Sequence, residues 1–187
     1  MAEWSNVGHP LRRVLVVGPP GVGKSWVSVQ LASILGIPHV ELDGFKLRPV
    51  RQLTTADEYE AAVRTALAAD AWLLDGNWSD DTLGEDAWRA ADLVVWLDYP
   101  RPVVMRQVAI RSARRLVTRE DYYGWTESVR DWFSPTHPLR WSWRMVAGYA
   151  DRYSSMAARF APRNHVRLTS REAADRFVHE GPLFSEP

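Results

Sequence analysis

Apolar positions along the chain follow two alternating rhythms. Short, nearly unbroken apolar runs suit strands buried on both faces. They occur at 12–17 (Arg-Arg-Val-Leu-Val-Val), 38–42 (Pro-His-Val-Glu-Leu), 71–75 (Ala-Trp-Leu-Leu-Asp), 93–98 (Leu-Val-Val-Trp-Leu-Asp) and 164–169 (Asn-His-Val-Arg-Leu-Thr). Between them the spacing turns helical. Trp26, Val27, Val29, Leu31, Ile34 and Leu35 cover about three turns and stop at Gly36. A helix is expected over 54–70, with Thr55 and Glu58 spaced as a capping box and an apolar stripe at Tyr59, Ala62, Val63, Ala66 and Leu67. Further helices are expected over 82–91, 103–118 and 139–160, and from the Ser170 cap to His179, with Pro135 and Pro138 breaking the chain ahead of the third. Five strands alternating with helices predict a mostly parallel sheet covered on both faces. The alternation does not order the strands.

The join between the first strand and the first helix carries the clearest chemistry. Gly18-Pro19-Pro20-Gly21-Val22-Gly23-Lys24-Ser25 fits G-x-x-x-x-G-K-[ST], the P-loop. Successive backbone N–H groups in such a loop cradle phosphate oxygens at the positive end of a helix. Gly21 and Gly23 allow close backbone approach, Lys24 reaches the outer phosphates, and Ser25 is placed to ligate Mg²⁺. The nucleotide-binding set runs from Gly18 through Trp26. Only Lys24 and Lys46 are lysines among 23 basic residues, so a chain that otherwise uses arginine puts an ammonium where the loop needs one.

Three later positions extend this chemistry. Asp75 ends the run Trp72-Leu73-Leu74, a Walker B pattern whose carboxylate holds Mg²⁺ with Ser25. Asp43 follows the second strand, where strand ends face the ligand crevice; it either meets an acceptor or opens a turn with Gly44. Arg111, Arg114, Arg115 and Arg119 recur at three- and four-residue steps on one helix face, a stripe suited to polyphosphate. The aromatic-rich stretch 122–153 either lines a ligand pocket or packs a lid on the core.

Composition narrows the class further. With 187 residues, 46% hydrophobic and 25% charged, the chain reads as one globular domain. There is no cysteine, the first ten residues carry no apolar core, and no apolar run nears the roughly 20 residues of a membrane span. The expectation is a cytoplasmic protein without membrane contact. Net charge is zero, but residues 1–97 hold 8 basic and 13 acidic side chains while residues 98–187 hold 15 and 10, so anionic ligands are steered to the second half. The five histidines show no metal-ligand spacing, and the absence of Asn-Lys-x-Asp disfavours GTP, leaving ATP as the expected nucleotide.

Taken in order, Gly18–Ser25, Leu42-Asp43, Leu74-Asp75-Gly76-Asn77, 96–101 (Trp-Leu-Asp-Tyr-Pro-Arg) and the arginine helix resemble the adenylate kinase-like P-loop proteins. Within them the chain looks most like the bacterial topology modulation group, through 36–43, Asp75-Gly76-Asn77-Trp78-Ser79 and Leu139-Arg140-Trp141-Ser142-Trp143. The resemblance implies an α/β P-loop NTPase fold in three α/β/α layers, a five-stranded parallel sheet ordered 2-3-1-4-5, and a helical lid after the fourth strand. It divides the single domain into a core of about 10–100 and 139–180 and a lid of about 111–138. It matches Asp75 to the Asp-Gly motif and Arg111 to the second of two lid-base arginines; Gln107 stands where the first is expected. Asn77-Trp78-Ser79 replaces the Phe-Pro-Arg that reads a nucleoside monophosphate. The expected activity is ATP- and Mg²⁺-dependent phosphoryl transfer to a small acceptor, with Lys24, Asp43, Arg111 and Arg115 as catalytic residues. The alternative is a nucleotide-gated regulator acting on DNA topology, although direct nucleic-acid binding is disfavoured because no DNA-binding module is recognisable. A monomer or a homodimer fits equally.

Overall fold

The structure, a computed structural model, describes residues 11–42, 47–48, 52–53, 55–76, 82–119, 126, 128–134, 137–160 and 165–181. All five expected strands form: β1 (Arg13–Val17), β2 (His39–Glu41), β3 (Trp72–Asp75), β4 (Leu93–Leu97) and β5 (His165–Leu168). The α-helices of the described residues are α1 (Lys24–Leu35), α2 (Ala56–Leu67), α3 (Thr82–Ala90), α4 (Arg101–Thr118), α5 (Pro138–Phe160) and α6 (Arg171–Glu180). The strands build one parallel sheet in the order β2-β3-β1-β4-β5, which is the 2-3-1-4-5 arrangement. Leu47–Arg48 and Gln52–Leu53 pair antiparallel as a separate two-stranded sheet that the apolar pattern did not foretell.

The period-two geometry of a strand explains the three layers. Val14 and Val16 of β1 point into one core with Val27 and Leu31 of α1, Val104 and Val108 of α4, and Phe177 and Val178 of α6. Leu15 and Val17 point the other way, against Val63 of α2, Trp88 of α3, and Tyr149, Tyr153 and Met156 of α5. β1 is the middle strand and is sealed on both sides, so the loop that follows it starts from a strand fully buried from Val14 to Val17. Full burial of each such side chain contributes about 1.5–3 kcal/mol. The second core is aromatic, with Tyr153 stacked on Tyr149 at 5.6 Å between ring centroids and edge-on to Trp96 at 6.1 Å.

Helix ends follow their local chemistry. α2 opens with the capping box foreseen at Thr55 and Glu58: the Glu58 N–H donates to Thr55 Oγ1, and the Thr55 N–H donates to Glu58 Oε2. α1 stops at Gly36, whose φ of 65° turns the chain while its N–H bonds to the Ala32 carbonyl. α4 stops at Arg119, a non-glycine residue at φ 49°. Arg119 therefore lies past the helix end, not on the arginine stripe where the spacing had put it.

Candidate active site

α1 begins at Lys24 and is preceded by Gly23 at φ 100°, with no side-chain cap and no acid in the first turn. A helix start without a side-chain cap or a nearby acid suits an anionic ligand. A Cβ on Gly23 would meet nothing within 4 Å. Gly21 has a different reason to be glycine: at φ +81° it lies so close to α4 that a Cβ would sit 2.2 Å from Val108 Cγ2. The loop and α4 are thus in backbone-to-side-chain contact. The Lys24 ammonium bends back over the loop and donates to the carbonyls of Gly18, at 3.0 Å, and Pro19, at 3.2 Å.

That contact decides what faces the loop. Val108 is anchored in the core, and Gln107, Arg111, Arg114 and Arg115 of the same helix line a cavity of about 600 Å³. Its other walls are Pro20 to Val27, Glu41, Asp75, Tyr99 and Arg171. Five cations, Lys24, Arg111, Arg114, Arg115 and Arg171, therefore share one cavity with two acids. Electrostatically this is a receptacle for polyanions.

The acids sit at one end, as the last residues of β2 and β3. Asp75, 2% exposed, accepts a hydrogen bond at 3.0 Å from His39 Nε2, and the Ser25 hydroxyl donates to Glu41 Oε1 at 3.3 Å. Ser25 and Asp75 are hard oxygen donors lining the same cavity. Among the described residues no cluster of three or more His, Cys, Asp or Glu could cage a metal alone. This donor set fits Mg²⁺, which takes one or two protein oxygens and completes its shell with water and substrate phosphates. At the other end, beyond β4 and β5, Tyr99 is buried beside Arg171. Burial first, then the charge of Asp175, push its phenol up to about 12, against the opposing pull of Arg171.

Gly18 to Trp26, Asp75, Arg111 and Arg115 thus meet around one space, except that Gly18 and Pro19 lie behind it as the carbonyls that hold Lys24. Asp43, Lys46 and Asn77-Trp78-Ser79 lie outside the described residues, as does 120–125. His39, Glu41, Tyr99 and Arg171 had not been singled out as site residues. The available signal was their position at or just beyond strand ends, which only the sheet order turns into neighbourhood. Of the aromatic-rich stretch, Tyr149 and Tyr153 are core, and Trp143 is exposed with the Arg101 guanidinium 3.7 Å above its ring. No described aromatic from that stretch lines this cavity, and Tyr149 and Tyr153 pack the second core.

Comparisons with known proteins bear on the fold that carries this site. The ATPase family associated with various cellular activities (AAA) matches residues 14–72, the stretch from β1 through the loop to the start of β3. The shikimate kinase of Bacteroides thetaiotaomicron superposes with a TM-score of 0.58 at 12% identity, over 90% of this chain and 94% of that one. The shikimate kinase of Acinetobacter baumannii, solved with shikimate, gives 0.54 at 15% identity over 88% of each. The fold is a P-loop kinase-like α/β fold. An unliganded sugar kinase from Janibacter sp. HTCC2649 gives 0.50 at 16% identity, over 90% of this chain and 91% of that one. At these identities the likeness is one of fold. No curated protein matches the chain in sequence. No helix among the described residues is long and apolar enough to cross a membrane.

Proposed function

We propose that the protein is an ATP-dependent phosphotransferase acting on a small acceptor. The observation that carries this reading is the single cavity lined at once by the P-loop, by Asp75 and by Arg111, Arg114 and Arg115 of α4. A phosphate-binding loop alone serves many ends. A loop with a metal-binding acid on one side and guanidinium groups opposite has what phosphoryl transfer needs, since that chemistry is mostly positioning and charge neutralisation.

In this reading the loop N–H groups and Lys24 bind the β- and γ-phosphates, and Ser25 and Asp75 hold Mg²⁺. When bound, the cation neutralises charge on the transferring group. Arg111 and Arg115 offer paired N–H donors to the equatorial oxygens, where each such donor is worth a few kcal/mol in the transition state. The lid over 111–138 starts on α4 and excludes water, which would otherwise take the phosphoryl group. Asp43 orients or deprotonates an acceptor hydroxyl; an acceptor that is already anionic needs no base. The fold neighbours include kinases of shikimate and of sugars, which supports hydroxyl acceptors as the first class to try.

The test is Mg·ATP consumption against a panel of nucleosides, nucleotides, shikimate and sugar acids, with Lys24→Ala as background. Acceptor-dependent ADP release that disappears in the variant is expected. ATP binding without turnover on any acceptor would overturn the kinase reading in favour of a nucleotide-gated regulator, with DNA the next partner to try and a steep salt dependence its signature.

A further inference from the structure

The groups assigned to the metal are themselves held by one short strand. β2 and β3 run parallel with Glu41 beside Asp75 and His39 beside Leu73. Alternation along a strand puts His39 and Glu41 on the same face, the face that carries Asp75. From there His39 Nε2 reaches Asp75 Oδ2 at 3.0 Å, and Glu41 takes the Ser25 hydroxyl at 3.3 Å. A carboxylate only accepts, so the nitrogen facing it is the protonated one. With Oδ2 engaged by His39, the rotation of the Asp75 carboxylate is constrained, and its other oxygen is the one left for a cation in the cavity that Asp75 lines. Asp75 is 2% exposed, so water has little access to perform the same service.

We propose that His39 is a positioning residue for Mg²⁺: it sets the orientation of the Asp75 carboxylate, so that the cation meets a pre-aimed ligand. The inference rests on the assignment of Asp75 to the metal in the proposed function. The chemistry is that of an outer-shell donor, whose loss typically lowers metal affinity or activity by about 10- to 100-fold. A histidine that merely fills space between β2 and α1 would affect stability and leave the metal dependence of binding alone.

The experiment measures ATP affinity by calorimetry, in excess Mg²⁺ and in EDTA, for the intact chain and for His39→Phe and His39→Gln. The quantity read is the ratio of the two affinities. His39→Phe is expected to shrink that ratio about 10-fold or more with the EDTA value unchanged, and His39→Gln, which keeps an N–H donor at similar reach, to recover most of it. If His39→Phe folds poorly, His39→Asn, polar but short, carries the same expectation. A ratio unchanged in His39→Phe, an equal loss in both conditions, or a Gln variant no better than Phe would each overturn the proposal. Wild-type ATP binding that ignores Mg²⁺ would overturn the metal assignment beneath it, and no ATP binding at all would overturn the proposed function itself.

Discussion

Gly21 and Gly23 are two residues apart in one loop, yet replacing each with alanine should fail for different reasons. At Gly21 the new Cβ would lie 2.2 Å from Val108 Cγ2, at a φ of +81°. Ordinary carbon contacts lie at about 3.5–4.0 Å, so something must move by more than about 1 Å. Val108 cannot simply swing away, because it is fully buried and a helical valine has one strongly preferred rotamer. Overpacking of this kind costs about 1–3 kcal/mol and the left-handed backbone about 1–2 more. At Gly23 the φ is +100° but no atom lies within 4 Å, so only the backbone cost of about 1–2 kcal/mol applies. For a chain of this size that predicts a fall in Tm of roughly 4–20 °C for Gly21→Ala and roughly 2–8 °C for Gly23→Ala. Val108→Ala alone should cost about 2 kcal/mol through lost methyl burial. In the Gly21→Ala background it should cost little or even stabilise, a coupling of about 1–3 kcal/mol. Urea titration followed by tryptophan fluorescence measures all four proteins. ATP binding supplies the counterpart: the double variant should regain affinity lost in Gly21→Ala, because α4 and its arginines return to the loop, while Gly23→Ala should bind poorly with only the smaller, backbone loss of stability, which the Val108 change does not relieve. Equal destabilisation of the two glycine variants, or additive behaviour in the cycle, would refute the claim that the loop is seated on Val108.

Asp43→Asn should lower kcat about 10²- to 10⁴-fold with a hydroxyl acceptor, and a kcat near that of wild type would remove Asp43 from the chemistry. Tyr99 should stay protonated until about pH 12, from an ordinary value of 10.0. Because the folded state holds this proton more tightly than the unfolded chain, its contribution is complete below about pH 10 and is lost as pH rises towards 12, about 2–3 kcal/mol in all. Tyrosinate absorbance should show one late-titrating phenol, and Tyr99→Phe should remove that alkaline loss of stability.

What was legible in the sequence follows from which forces are local. The strands announced themselves because a sheet covered on both faces demands unbroken apolar runs, and Val14 to Val17 and Leu93 to Leu97 are all fully buried or nearly so. The loop was legible because phosphate cradling needs glycines and a lysine at set spacing. Thr55 and Gly36 marked helix ends through chemistry within a single turn. The arginine stripe was legible only as far as the helix lasts: Arg111, Arg114 and Arg115 face the cavity, whereas Arg119 belongs to the turn that ends α4. The sequence places His39 and Glu41 in a strand and in the 36–43 run that carries the resemblance, without a role in the site. Their roles depend on β2 lying next to β3 and on a register that puts Glu41 beside Asp75, neither of which any local pattern encodes. Tyr99 and Arg171 follow different strands and meet because β4 and β5 are neighbours.

The most direct measurement follows the fate of a labelled γ-phosphate. With Mg·ATP and the acceptor found in the panel, the account predicts label in an acceptor ester, none in the Lys24→Ala control, and little as inorganic phosphate. Label released only as inorganic phosphate, or ATP left intact with every acceptor, would contradict it.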